Sequence, residues 1–123
     1  STHSVLFVDE LPPDEVFLRD SPLVENHPLF PQRTSVLWTV VESPSRVRMR
    51  IWERGVGETL ACGTGACAAA VAAQLRGLAG DSVEVHSAGG VLHVEWRPGE
   101  PVRLTGAAER VYEGWYPLDE GTV

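Results

Sequence analysis

Cys62-Gly-Thr-Gly-Ala-Cys-Ala-Ala-Ala-Val-Ala-Ala-Gln-Leu-Arg76 is the stretch on which the fold turns. Alanine is the best helix former, and Gly77 and Gly80 supply stop signals, so a helix is expected from Gly63 to about Arg76. Its side chains from Ala66 to Ala73 are small and leave no polar stripe. A helix that is apolar all round is enclosed rather than laid on a surface, and small side chains let strands approach it closely.

Enough strand-like segments surround it to do the enclosing. Ser4 to Asp9 reads as a buried strand stopped by Pro12 and Pro13. Thr34 to Glu42 and Val47 to Glu53 read as a hairpin about Ser43-Pro44-Ser45. Ser82 to His86, Val91 to Trp96, Val102 to Leu104 and Ala108 to Trp115 follow, separated by Gly-rich and Pro-rich turns. Between the first strand and the hairpin, a short helix is expected over Asp20 to His27, capped by Asp20 or Ser21 with Pro22 in its first turn. The expected fold is α/β (α+β): one domain with a mixed, mostly antiparallel sheet curled around a central alanine-rich helix.

The chain has 123 residues and a formal net charge of −7. That length suits a single core, and that charge argues against nucleic acid or an anionic membrane as partner, since both demand clustered cations. All ten basic residues are arginines, densest at Arg46-Val-Arg-Met-Arg50, where alternation reads as a solvated strand face. No apolar run is long enough to span a bilayer, and no signal-peptide pattern opens the chain. Two cysteines do not make a secreted disulfide framework, so a reducing cytoplasm is expected. Cys62 and Cys67, five positions apart, would sit about 140° apart around a helix, unsuited to a disulfide. A core strand that begins almost at the first residue also suggests a piece of something longer, or a chain that completes another.

Cys62 carries the chemical interest. A thiol at a helix N-terminus lies beside unpaired N–H groups and the positive end of the dipole, which favour a thiolate and attract a carboxylate. The N–H groups of Gly63, Thr64 and Gly65 can be approached closely because glycine has no Cβ. Glu53 and Arg54 form a natural clamp for the ammonium and carboxylate of an amino acid. Two other readings use the same residues. Gly63-Thr-Gly-Ala-Cys-Ala68 fits a relaxed dinucleotide fingerprint with Asp81 downstream, but the segment Gly57 to Ala61 before it does not read as a strand. A cysteine hydrolase would need His86 or His93 as base. His3, His27, His86 and His93 lack metal-site spacing, so no metal is implied.

The run Glu53-Arg-Gly-Val-Gly-Glu-Thr-Leu-Ala-Cys-Gly-Thr-Gly-Ala-Cys-Ala68 closely resembles the second active-site motif of the diaminopimelate epimerase family, whose members are cofactor-independent amino acid racemases. Agreement continues through His27 to Thr34, Arg48 to Glu53 and Leu104 to Gly114, so that essentially the whole chain resembles the family's C-terminal half. The resemblance implies a two-base mechanism, with one cysteine removing an α-proton and a thiol on the opposite face returning one. It makes Cys62 one of that pair, Gly63 and Thr64 the backbone anchors of the α-carboxylate, and Cys67 a buried structural cysteine. It aligns His3 with the histidine of a Gly-Asn-Pro-His motif, and Glu53 and Arg54 with residues that grip the distal end of the substrate or support the site. Ser1 and Ser35 stand where the family has substrate-binding asparagines, and a hydroxyl offers fewer hydrogen bonds than an amide. A related racemase of different specificity, or a non-catalytic carboxylate-binding module, therefore stays an alternative to the epimerisation of LL- to meso-diaminopimelate in lysine biosynthesis.

The family's first half, with a Cys-Gly-Asn-Gly motif and the opposing cysteine, is not in this sequence. The expected partners are thus an amino acid substrate and an N-terminal domain carrying the second thiol, with a homodimer compatible. No cofactor is implied, and the isolated domain is expected to be inactive.

Overall fold

The computed structural model describes residues 2–106 in full and the backbone of residues 113–116. Ser1, and the first part of the strand expected over Ala108 to Trp115, lie outside the described residues, as does much of the Leu104–Gly114 resemblance. The elements are β1 (His3–Phe7), α1 (Asp14–Glu25), β2 (Ser35–Ser43), β3 (Arg46–Glu53), β4 (Gly57–Thr59), α2 (Gly63–Leu75), β5 (Ser82–Ser87), β6 (Gly90–Glu95), β7 (Val102–Gly106) and β8 (Glu113–Tyr116). The main path of the sheet runs β1-β2-β3-β5-β6-β7-β8, with β4 also paired to β3. β1 is parallel to β2 and β3 is parallel to β5, while every other pairing is antiparallel.

α2 is the enclosed helix. Every residue from Gly65 to Ala73 is buried, and the helix packs against β1, β2, β3, β5, β6 and β7. Leu37, Val47, Met49, Ile51, Val83, Val85, Val94, Val102 and Leu104 close around its alanines. Larger side chains supplied by the strands let a helix of small ones fill the space to interior density. Gly77, at φ +72°, reverses the chain just after the helix.

β2 is buried on both faces, and its alternation divides two cores. Leu37 points toward α2, whereas Val36 and Trp38 join Phe17 in a second core beneath α1. Ser21 is fully buried in α1 because its Oγ accepts the Trp38 Nε1 hydrogen bond at 2.9 Å. A buried indole N–H without such an acceptor would be costly.

Several local expectations need correction. α1 starts at Asp14, six residues before Asp20: Pro13 stands at its N-cap in an extended conformation, and Asp14 and Glu15 favour the positive end of the helix. Pro22 therefore lies inside the helix rather than in its first turn. β1 is an edge strand, mostly half-buried, where a buried one was expected. Gly57–Thr59 does form a strand, because the turn through Gly55 (φ +75°) folds it back onto β3. The arginine stripe is only partly solvated. Arg46 and Arg48 are exposed, but Arg50 lies 3.9 Å over the Phe17 ring, donates to the Pro12 carbonyl at 2.8 Å and pairs with Asp14 and Glu58.

Candidate active site

Parallel pairing of β1 with β2 and antiparallel pairing of β2 with β3 brings the first residues of β1 and β2 to the same end of the sheet as the last of β3. His3 is opposite Ser35, and Val36 is opposite Trp52, next to Glu53. The N-terminus of α2 opens at this end. His3, Ser35, Glu53, Arg54, Cys62, Gly63 and Thr64 are thus gathered from four separate chain segments.

Cys62 is the N-cap residue of α2, with extended backbone (φ −151°, ψ 114°). Its Sγ accepts the Gly65 N–H at 3.3 Å and lies 3.4 Å from Thr64 Oγ1. Thr64 Oγ1 is 3.5 Å from His3 Nε2, so thiol, hydroxyl and imidazole stand in line. Ala66 N–H closes on the Cys62 carbonyl at 2.9 Å, while among the described residues Gly63 and Thr64 have no acceptor for their N–H groups.

The glycines here sit in close packing rather than in an unusual backbone conformation. A Cβ on Gly63 would come within 3.0 Å of Leu104 Cδ2, and one on Gly65 within 3.2 Å of Leu37 Cδ2 and 3.4 Å of Cys62 Sγ. Neither has positive φ.

His3 is 7% exposed, and its Nδ1 has no partner among the described residues. Burial is the main cause that holds its pKa below the ordinary value; Arg54 acts in the same direction and Glu53 against it. Cys67 is buried in α2, and burial pushes its thiol up to about 12. Both cysteines are free thiols.

Arg54 is anchored through its backbone and its side chain: its N–H donates to Ser35 Oγ at 2.9 Å and its Nη1–H to the Gln32 carbonyl at 3.2 Å. Ser35 is buried, with its hydroxyl already engaged by the Arg54 turn. The flanks of Glu53-Arg54 are held by Glu25, which the sequence reading passed over. Its Oε1 accepts Trp52 Nε1–H at 2.9 Å, its Oε2 accepts Gly55 N–H at 2.8 Å, and Arg33 approaches Oε2 at 3.4 Å. The Trp52 bond is the main cause that holds this carboxyl below the usual range, with Gly55 and Arg33 helping and burial opposing. A sequence signal existed in the helix-ending Glu25 next to His27-Pro28, since a carboxylate at a helix C-terminus needs a reason to be there.

Gly89 is a further residue that sequence reasoning missed. Its N–H donates to the Leu60 carbonyl at 2.8 Å, and a Cβ there would sit 2.9 Å from Ala61 Cβ and from Leu60 O. The β5–β6 turn thereby braces the segment that delivers Cys62. His86 and His93 are not partners of Cys62: His93 Nε2 bonds Ser82 Oγ at 2.7 Å, and His86 faces Glu84. The dinucleotide reading also fails, because the strand before the glycine turn, β4, is antiparallel to its neighbour.

Comparison with known proteins places the chain in a family. The sequence model of the family described as diaminopimelate epimerase matches residues 1–111. The chain belongs to that family. It is 51% identical over 116 residues to a diaminopimelate epimerase of Pelotomaculum thermopropionicum, covering 94% of this chain and 41% of the relative. It is 50% identical over 118 residues to that of Moorella thermoacetica, covering 95% and 42%. The chain therefore spans about two fifths of the length of these curated relatives. Among solved structures, a phenazine biosynthesis protein of the PhzF family from Enterococcus faecalis superposes with TM-score 0.61 at 22% identity, covering 81% of this chain and 35% of that one. A second from Bacillus anthracis gives 0.54 at 17%, covering 83% and 33%. These two share the fold with the present chain.

Two outcomes follow from the burial of these groups. Burial pushes the Cys67 thiol up to about 12, so it stays protonated at pH 8. Iodoacetamide is expected to label one thiol per native chain, Cys62, and a second only after denaturation; mass mapping of labelled peptides checks this. The lowered pKa values of His3 and Glu25 both mean that the unfolded chain binds more protons. Stability is then expected to fall as pH drops below 6.5 through His3, and again below 4.5 through Glu25. Thermal melts across that range measure the first loss, and its removal in His3→Gln assigns it.

Proposed function

We propose that this chain supplies one face of the active site of a cofactor-independent epimerase that inverts the α-carbon of an amino acid, interconverting LL- and meso-diaminopimelate in lysine biosynthesis. The observation that carries the reading is the line Cys62–Thr64–His3 at the mouth of α2, beside the open N–H groups of Gly63 and Thr64. The family name points to the substrate class.

Cys62 is the acid/base group in this reading. As thiolate it takes the α-proton, leaving electron density that spreads onto the substrate carboxylate; a thiol on the opposite face then gives a proton and becomes the thiolate. The α-proton is very weakly acidic, so the developing charge needs preformed donors. The Gly63 and Thr64 N–H groups receive the α-carboxylate, and such donors contribute on the order of 3 kcal/mol apiece. Thr64 and His3 form a polar path from the sulfur. Glu53 and Arg54 hold the distal amino acid group.

The second thiol must come from elsewhere, because Cys67 is buried in α2. We assign it to an N-terminal domain, within the three fifths of the relatives' length that this chain does not span. This chain is then the C-terminal domain over residues 1–123, working in a reducing cytoplasm. Engagement of the Ser35 hydroxyl by Arg54 favours a second reading, a racemase with another distal group on its substrate.

The test is deuterium incorporation at the α-carbon in heavy water, with diaminopimelate and other amino acids as substrates. The chain alone should catalyse none, and the chain combined with an N-terminal half of a relative should exchange diaminopimelate. Exchange by the chain alone, or none by a folded combination, overturns the reading.

A further inference from the structure

Glu25 ends α1, where the negative pole of the helix disfavours an anion and where the last turn holds no basic residue. Yet Glu25 is 6% exposed, and both of its carboxylate oxygens accept hydrogen bonds. Its position is therefore explained by what it holds and not by the helix that carries it. The two oxygens divide their work: one takes the side chain of Trp52, the residue before Glu53, and the other takes the backbone of Gly55, the residue after Arg54. The turn between reverses through Gly55 at φ +75° and Gly57 at φ +105°. Arg33, itself at φ +63°, closes the outer side of the carboxylate, and its guanidinium lies 3.5 Å from where a Gly55 Cβ would stand.

We infer that Glu25 is a positioning residue for substrate recognition: it staples both flanks of Glu53-Arg54 and so sets where these two charged groups stand relative to the N-terminus of α2. The inference rests on the proposed function for its consequence in catalysis, and on the hydrogen bonds alone for its consequence in structure. Cys62 stands on α2, and its hydrogen-bond partners do not include Glu25. Loss of the carboxylate should therefore weaken the grip on substrate more than the chemistry at sulfur. Glu25→Gln tests this most directly, since the amide keeps the shape but has one acceptor oxygen for two donors and turns N–H groups toward a donor.

In the two-half preparation that exchanges diaminopimelate, Glu25→Gln should raise KM at least tenfold, lower kcat less than threefold, and leave Cys62 alkylation within twofold. Glu25→Asp, charged but shorter, should recover part of the KM. In the chain by itself, hydrogen exchange at the Gly55 amide should accelerate at least tenfold in Glu25→Gln. Unchanged KM beside a lowered melting temperature overturns the positioning role, as does a loss confined to kcat. If the wild-type preparation shows no exchange, the epimerase reading fails, and the Gly55 amide alone decides whether Glu25 fixes the turn. Should Glu25→Gln not fold, Trp52→Phe removes the Oε1 donor and must move KM in the same direction.

Discussion

Cys62→Ala in the active two-half preparation is expected to lower α-proton exchange by about 10³-fold or more, within the range contributed by a positioned acid/base group. The loss should fall on kcat, because the Gly63 and Thr64 N–H groups and the Glu53-Arg54 turn, to which the proposed function gives substrate binding, stay in place. Sγ also accepts the Gly65 N–H at the helix N-terminus, so the variant loses a cap as well, at about 1 kcal/mol. Cys62→Ser separates the two effects: the hydroxyl restores a good N-cap but is far too weakly acidic to serve as the base. Equal loss of exchange in Ala and Ser variants, with stability recovered only in Ser, is the expected pattern. Activity in Cys62→Ser close to wild type would remove Cys62 from the chemistry.

Phe17→Ala should give the largest loss of stability, about 3–5 kcal/mol in urea unfolding of the chain. Phe17 is fully buried, meets Trp52 edge-to-face at 5.7 Å between centroids and carries the Arg50 guanidinium on its face. Truncation opens a cavity beneath α1 and removes the ring on which the Arg50 guanidinium rests, although its bonds to Pro12, Asp14 and Glu58 remain. A loss under about 1 kcal/mol would mean that α1 contributes little to the sheet's outer face. The same variant should loosen Trp52, and with it the Glu25 bond that steadies the Glu53-Arg54 turn.

The sequence made the central helix and its wrapping sheet legible because Ala66–Ala73 admits no exposed face. The place of Cys62, Gly63 and Thr64 at the helix N-terminus was legible for a related reason: helix caps are local, so a short run of residues carries them. What escaped was non-local. Pro13, Asp14 and Glu15 carry a local helix-start signal, but no local signal says that Phe17 would lie beneath Arg50, because that pairing forms only when β3 is in place. Glu25 and Gly89 reach the site across long separations in the chain, and no periodicity marks such contacts. Ser35 stands where the resemblance puts a substrate-binding asparagine, and its hydroxyl accepts the Arg54 amide N–H, a partner visible only once β2 and β3 are aligned.

The parallel pairing of β1 with β2 has a consequence for how the site comes into being. His3 reaches Thr64 only through a five-residue edge strand whose partner begins 35 − 3 = 32 residues later. Such non-local pairings carry a high loop-closure cost and form late, whereas the β2–β3 and β5–β6 hairpins are local. Edge strands are also natural places for partial opening of a folded protein. The imidazole should accordingly arrive at the sulfur after the local hairpins have formed, and leave early when the sheet begins to fray. Acquisition of the polar path at Cys62 is then a late event in maturation, coupled to completion of the tertiary structure.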